Sequence, residues 1–370
     1  MIRYRDAGWM LAGAGLVLLG GVACGIDDDR PVAAAAVADL TSFASGLPVP
    51  PGGGVPRPTG TPTNLKVIDW AGFKGAVTYT FDDSQPSQIE HYAQLQAVGI
   101  HVTFYIASGW ASTSSRYDAT WSQAVRDGHE IGNHTVHHCR ADLTGCSVGS
   151  PLGSALAEID TNATYISQHA GPGVVSTMAS PFGDGNWASS ARQRVFLSRD
   201  VNRAMVAPND ATDPFHLPCF MAGDASVGGV GTQQSAFNGF IDTARAGDRW
   251  LIFLFHTITP TANNWFAPVD VGAVTGSMQH SRSLTDVWTD TLVNVGAYWR
   301  AQKLFSTLAP TKAGSVTTWT WTLPDHFPPG KFLRVKVDGG TLKQGNTTLV
   351  WDSHGYYEVA LDARTLTLSP

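Results

Sequence analysis

Short apolar runs recur along the chain from residue 76 onward, most of them closed by a polar residue and separated by stretches with helical periodicity. The runs Ala76–Phe81, His101–Ala107, Val174–Ala179, Ala204–Val206 and Trp250–Phe255 predict strands, and a shorter segment, His129–Asn133, predicts another. Val102-Thr103-Phe104-Tyr105-Ile106 and Leu251-Ile252-Phe253-Leu254-Phe255 are near-continuous rather than alternating, as expected of parallel strands covered on both faces. Between them the spacing predicts helices. Ser87 with Glu90 three residues on predicts a capped start, Ile89, Tyr92, Leu95 and Val98 the buried stripe, and Gly99 the end. Leu152, Leu156, Ile159 and Ile166 mark a second helix and Phe237, Phe240, Ile241 and Ala244 a third. Ser283 with Asp286 predicts the start of a longer one through Val287, Leu292, Val295 and Trp299. Alternating strands and helices from residue 65 to 312 predict an α/β domain, either a barrel or an open doubly wound sheet.

After Lys312 the pattern changes to a period of two. Val316–Trp321, Phe332–Val337, Thr348–Trp351, Tyr356–Leu361 and Leu366–Leu368 are separated by Pro-Gly, Gly-Gly, Gly-Asn and Asp-Ala turns. Residues 313–370 are therefore predicted to form a small antiparallel β module packed on the main domain, its tryptophans serving either packing or sugar binding.

Composition narrows the class. A hydrophobic fraction of 43% with 12 Trp and 16 Phe is enough for a core and excludes a disordered chain. With 24 Lys+Arg against 30 Asp+Glu the net charge is −6, which argues against nucleic acid as the partner. Arg3 and Arg5 precede an uncharged apolar run from Gly8 to Cys24, the length of a signal sequence and short for a membrane-spanning helix. It ends in Gly21-Val22-Ala23-Cys24, which resembles a lipoprotein processing site; residues 1–24 thus predict export, with membrane attachment through Cys24 or cleavage after one of the alanines between 33 and 38. A plain membrane anchor is the alternative. Residues 25–64 combine Asp27-Asp28-Asp29, an Ala-rich stretch and many Pro and Gly, a composition that predicts a tether. The product is expected at the cell envelope, in the periplasm or secreted, as a monomer. In an exported protein Cys139 and Cys146 can close a short disulfide loop, leaving Cys219 as a buried thiol or as the partner of either.

Four polar groupings directly follow apolar runs: Asp82-Asp83, His134-Thr135-Val136-His137-His138, Ser180-Pro181-Phe182-Gly183-Asp184 and His256-Thr257. Two adjacent carboxylates at a strand end repel one another unless a cation intervenes, and a turn is needed to aim both at one place. On a helix, His134 and His138 would share one face, with His134 and His137 as another workable spacing. An Asp-His-His set suits Zn²⁺ or another first-row divalent ion. In a parallel α/β fold, groups at the C-terminal ends of different strands converge on one mouth.

Thr80-Phe81-Asp82-Asp83, His134 to His138, Ser180-Pro181-Phe182-Gly183 and Leu251 to His256 resemble the successive motifs of the polysaccharide deacetylase family, with its NodB-type, carbohydrate esterase 4-like domain. The resemblance spans roughly residues 72 to 305. It implies a distorted (β/α) barrel and metal-dependent hydrolysis of N- or O-acetyl groups on sugars. Asp83, His134 and His138 would be the metal ligands, for Zn²⁺ or in some members Co²⁺, and Asp82 the base that takes a proton from the attacking water. His256 would be the acid, the backbone N–H of Phe182 an oxyanion donor, and Leu254 part of the pocket for the acetyl methyl. Two departures stand out. Ala179 occupies the position where the family has an Arg that orients the base, with Arg192, Arg194 or Arg203 as candidates to replace it. The stretch Asp210 to Phe215 is the nearest to the family's fourth motif, which assigns to Asp213 the tuning of the catalytic histidine.

Trp110, Trp187 and Trp265 fall on predicted loops at one barrel end, where aromatic faces can stack on sugar rings, with Asn263-Asn264 beside the last; packing is the alternative role. The expected substrate is an acetylated glycan. Competing readings are an esterase or amidase for a non-carbohydrate acyl group, and a catalytically weak carbohydrate-binding envelope protein.

Overall fold

The computed structural model describes residues 45–111, 115–171 and 175–370; the predicted leader, Cys24 and the first part of the tether lie outside them, as does Val174. The continuous apolar runs become the centre of a parallel sheet because both faces of each are covered. Its strands are β1 (Gly75–Phe81), β2 (Thr103–Ile106), β3 (Glu130–Asn133), β4 (Thr177–Ala179), β5 (Leu197–Arg199), β6 (Phe220–Met221), β7 (Trp250–Phe255) and β8 (Val287–Thr289). The order is β5-β4-β3-β2-β1-β7-β6, with β8 pairing the first half of β1 on the edge whose second half meets β2. All these pairs are parallel, and β1 and β7 run in register from Ala76–Trp250 to Phe81–Phe255.

The sheet curls until its two ends meet. A parallel bridge joins Arg199 to Leu217, and the N–H groups of Asp200 and Cys219 donate to Leu217 O and Asn202 O at 2.9 Å each, just ahead of β6. This closure decides for the distorted barrel over the open sheet.

Local differences from the sequence expectation have simple causes. Ser87 does not cap its helix but lies inside Pro86–Glu90, its Oγ accepting from Ile258 N; the predicted helix is interrupted at His91 and resumes as Tyr92–Gln96. The second helix is Ala155–His169, capped by Ser154, and the third Gln234–Ala246. Ser283 ends a helix, Val271–Ser283, rather than opening one; Val287–Thr289 is strand β8, and the long helix starts after Thr291 as Leu292–Ser306. Of Ala204–Val206, only Val206 pairs, in a single antiparallel bridge to Trp250; the strand at that stage of the barrel is β5.

The longer C-terminal strands are β9 (Val316–Thr320), β10 (Phe332–Lys336), β11 (Thr341–Gln344), β12 (Tyr357–Ala360) and β13 (Thr365–Ser369), with short strands Thr311–Ala313 and Thr347–Thr348 beside β9 and β11. β13 lies between β9 and β11, and β10 pairs β12, all antiparallel. Their inward residues, among them Trp319, Leu333, Val335, Leu342 and Leu368, share one core with Trp70, Ala76, Trp250 and Trp299, so the module packs near the end where β1 and β7 begin. Trp319 and Trp321 are buried there, in packing roles.

The Pro- and Gly-rich stretch is, from residue 45 on, laid over this module rather than free of it. Val55 N donates to Ser353 O at 2.8 Å, Gly60 N to Asp338 O at 2.9 Å and Arg57 Nη2 to Gly340 O at 2.7 Å. Buried Arg334 donates to Pro48 O and Ala71 O at 2.8 Å each and to Glu358 at 2.9 Å, and Lys66–Val67 adds to β10 as an antiparallel strand.

Candidate metal centre and active site

β1 ends where its ladder ends. Asp82 N still donates to Phe255 O at 3.0 Å, after which Asp83 and Ser84 take positive φ of 73° and 54°. That left-handed turn, costly for non-glycine residues, lets two successive carboxylates face one cavity. Gln88 stitches the turn to β7 by donating to Asp82 O at 2.6 Å and His256 O at 3.2 Å, and Gln85 Nε2 donates to Asp83 Oδ2 at 3.2 Å.

His134 and His138 do not share a helix face. The segment after β3 is a loop, turned by positive φ at Thr135 (64°) and His138 (47°). It is pinned from behind by Glu158, which accepts from Val136 N at 3.0 Å and His137 N at 2.9 Å and holds His137 Nδ1 at 2.8 Å. His137 is thereby excluded as a ligand. His134 Nδ1 donates to Ala179 O at 2.8 Å, and His138 Nδ1 is hydrogen-bonded to Ser147 Oγ at 2.9 Å. Both rings therefore turn Nε2 toward Asp83 Oδ1, at 3.3 Å from His134 and 3.6 Å from His138. Ser147 follows directly on the disulfide Cys139–Cys146, which closes the loop as expected, and Cys219 is a buried free thiol.

Asp83 Oδ1 is buried and has no hydrogen-bond partner among the described residues, although three candidate ligand atoms lie within 4.8 Å of one another. Burial alone would raise its pKa, but the imidazoles, His134 first, hold the carboxyl well below the usual range. Burial likewise works against a proton on His134, yet Asp82 and Asp83 outweigh it and raise that pKa; His138, dominated by burial, is pushed down to about 3. An orphaned carboxylate oxygen facing two imidazole nitrogens is a donor set that fits a divalent cation.

The residue that holds Asp82 is Arg199, which sequence reasoning missed. Its Nη2 donates to both Asp82 oxygens at 2.5 Å, and the guanidinium is fully buried, 5.3 Å from the Tyr105 ring centroid. Arg199 is the registered neighbour of Ala179 across β4 and β5, so the guanidinium arrives from the next strand at the same level. The three arginines considered from sequence do other things: Arg192 pairs with Asp213, Arg194 with Asp160 at 2.6 Å, and Arg203 donates to Gly228 O and Gly229 O. The only local signal was a charged pair, Arg199-Asp200, closing the short run Val195-Phe196-Leu197.

His256 is buried beside the cluster, Nε2 3.9 Å from Asp83 Oδ2 and the ring edge-on to Phe266, and burial lowers its pKa. Its Nδ1 has no partner among the described residues. Asp213 does not tune it: that carboxylate, partly exposed, pairs with Arg192 and accepts from Phe215 N at 3.0 Å, and it does not line the cavity.

Above the cluster opens a cavity of about 600 Å³ whose walls include Trp110, Phe182, Leu254, Trp265 and Phe266. Trp265 is half exposed and 6.0 Å from Trp110, which in turn lies 5.1 Å from His138; the Phe182 ring is 4.5 Å from His138. Trp187 is not part of this wall. It is fully buried, donates to Cys139 O at 3.2 Å and packs with Met178 and Phe215, so its role is structural.

Residues 72–195 match the family model described as polysaccharide deacetylase, so this segment, which carries Asp82, Asp83, His134, His138 and Phe182, is of the polysaccharide deacetylase type. No curated protein sequence is significantly similar to the chain. Solved structures with a similar shape include a family 4 carbohydrate esterase from Streptomyces lividans in complex with acetate, 16% identical, covering 59% of this chain and 92% of that one at a TM-score of 0.39. A family 4 acetyl xylan esterase from Clostridium thermocellum in complex with a cobalt ion is 15% identical, with 60% and 89% coverage and a TM-score of 0.39. A carbohydrate esterase 4 family pseudoenzyme from Bacillus anthracis is 12% identical, with 60% and 65% coverage and the same TM-score of 0.39.

Proposed function

We propose that the chain is an exported, metal-dependent deacetylase that hydrolyses N- or O-acetyl groups on a carbohydrate. The observation that carries this reading is the convergence of Asp83, His134 and His138 under a cavity whose floor also holds Asp82, clamped by Arg199, and His256. Export is supported by the disulfide Cys139–Cys146, which suits an oxidising compartment, together with the apolar leader.

Asp83, His134 and His138 would hold the ion, Zn²⁺ or another first-row divalent metal, through one oxygen and two Nε2 atoms. Such an ion supplies Lewis acidity toward the acetyl carbonyl and makes its water more acidic. The chain's own residues then divide the proton work. Asp82, kept oriented by two hydrogen bonds from Arg199, takes a proton from the water as it attacks the carbonyl carbon. His256 delivers a proton to the departing amine or alkoxide as the C–N or C–O bond breaks, leaving acetate. Phe182 N–H, set by a backbone φ of 58°, offers a donor to the developing oxyanion, an interaction worth about 3 kcal/mol where it operates. Leu254 bounds the space for the methyl group, while Trp265 and Trp110 give sugar rings an aromatic face.

Acetate release tests the reading: metal-stripped and metal-restored protein are compared over chitin oligomers, peptidoglycan, acetylxylan and acetylated exopolysaccharides. The expected result is release that needs metal and is abolished in Asp82→Asn. Glycan retention without any acetate release would instead identify a binding protein, and release confined to non-carbohydrate esters or amides would reassign the substrate.

A further inference from the structure

Two cationic side chains at the cavity mouth have no part in the chemistry above. The Arg140 guanidinium lies 5.0 Å over the Phe182 ring, and Arg203 is braced by the carbonyls of Gly228 and Gly229. Both are exposed, both line the cavity, and neither has a carboxylate within 4 Å among the described residues. By contrast Arg192, Arg194 and Arg245 each pair with an aspartate.

The carboxylates lining the cavity are Asp82 and Asp83, at the floor, and Asp82 is already neutralised by Arg199. Asp142 and Asp184 lie with Arg140 in an adjoining depression and Asp224 lies with Arg203 in another, but none of the three lines the cavity. Above the floor, the charged residues that line the cavity are thus the two arginines, which offer anionic ligands two cationic partners at this opening. A guanidinium held by a ring face or by carbonyls keeps its remaining N–H groups in a planar fork, the geometry that carboxylate and sulfate oxygens accept.

We infer that the glycan substrate carries anionic groups, carboxylate or sulfate, and that Arg140 and Arg203 at the cavity mouth are its specificity-determining residues. The inference rests on the deacetylase reading for its catalytic readout and can be tested apart from it. The metal-loaded protein is assayed on an O-acetylated polyuronate, on the same polymer with its carboxyl groups reduced to alcohols, and on an acetylated sulfated glycan. Wild-type kcat/KM is expected to favour an anionic polymer over the reduced one by about tenfold or more, through KM, and the preference should shrink as salt is raised. In Arg140→Gln, Arg203→Gln and the double variant, the ratio should fall toward one, with the thermal midpoint checked for each. Arg203 also braces a loop, so Arg140→Gln alone decides if the others misfold. Stronger preference for the sulfated arm would identify the anion as sulfate, within the inference.

Equal kcat/KM on charged and reduced polymers, or a preference that survives in a folded double variant, would overturn it. Acetate released from the neutral glycans of the panel above but from none of the anionic polymers would overturn it too and leave the deacetylase reading standing; should no polymer of either set lose acetate, the deacetylase reading fails. Migration through gels containing polyuronate then stands alone: retardation that Arg140→Gln removes supports the inference, and its absence ends it.

Discussion

Strand β3 is four residues long and has a histidine just outside each end, and the two are treated in opposite ways. At its start, His129 is sealed. Its Nδ1 accepts from Val102 N at 3.1 Å, its Nε2 meets Gln96 Oε1 at 2.7 Å, and burial pushes its pKa down to about 4. Beside it the Glu130 carboxylate accepts from Thr177 at 2.5 Å and from Thr103 and Val293 N at 2.9 Å each. At the other end, five residues along, His134 faces a group of atoms that the fold leaves incomplete. Among the described residues, Asp83 Oδ1 and His256 Nδ1, of two side chains that line the cavity with His134, are buried without a hydrogen-bond partner. The polar groups of His129 and Glu130 are spent on hydrogen bonds within the fold, whereas those two atoms at the cavity are left for what binds there.

The sharpest way to break the contrast is to disable the open end. His134→Ala should lower acetate release by roughly a thousandfold, equivalent to about 4 kcal/mol in barrier, with no metal retained on elemental analysis. Arg199→Gln comes next: it leaves the Asp82 carboxylate buried without its cation and should cost roughly 3 kcal/mol in denaturant unfolding, with kcat falling more than KM changes. Asp82→Asn placed on top of it should recover part of the stability but none of the activity.

At the sealed end the effect is on stability alone. A histidine whose folded pKa is depressed binds its proton more readily in the unfolded chain, so stability falls as pH drops below about 6.5 toward about 4. His129 should therefore contribute a loss of about 2 kcal/mol between pH 7 and pH 5, and His129→Gln should flatten that limb in unfolding measured across pH. Ser147→Ala, which frees His138 Nδ1 without touching a ligand atom, gives the smallest change, a drop of about tenfold in metal affinity by competition with a chelator. An unchanged affinity would mean that the loop, rather than Ser147, orients the ring.

What was legible in the sequence follows from the range over which each feature is determined. β1 and β7 could be read because burial on both faces writes an unbroken apolar run, and the chemistry after them because strand ends in a parallel barrel point one way. Most C-terminal strands showed through their alternation, although Thr341–Gln344 did not, being short and half polar, and the run Thr348–Trp351 is a strand only at Thr347–Thr348. Arg199 was hidden because only the register of β4 against β5 puts it beside Ala179. Asp213 and Trp187 were misplaced for the converse reason: proximity to a motif in the chain does not tell which way a loop turns, and theirs turn to Arg192 and to the small core around Met178. The helical spacing of His134 and His138 named the pair that the structure brings together, but by another geometry, since left-handed residues turn the two rings toward Asp83.

The strap that Arg334 clasps has a mechanical side. Tension entering at residue 45 meets the carbonyls of Leu47 and Pro48, then the rungs to Ser353, Asp338 and β10, before it reaches Gly75. A pull entering at residue 45 would thus be borne by the last strands of the chain before it reached β1 and the turn that aims Asp82 and Asp83.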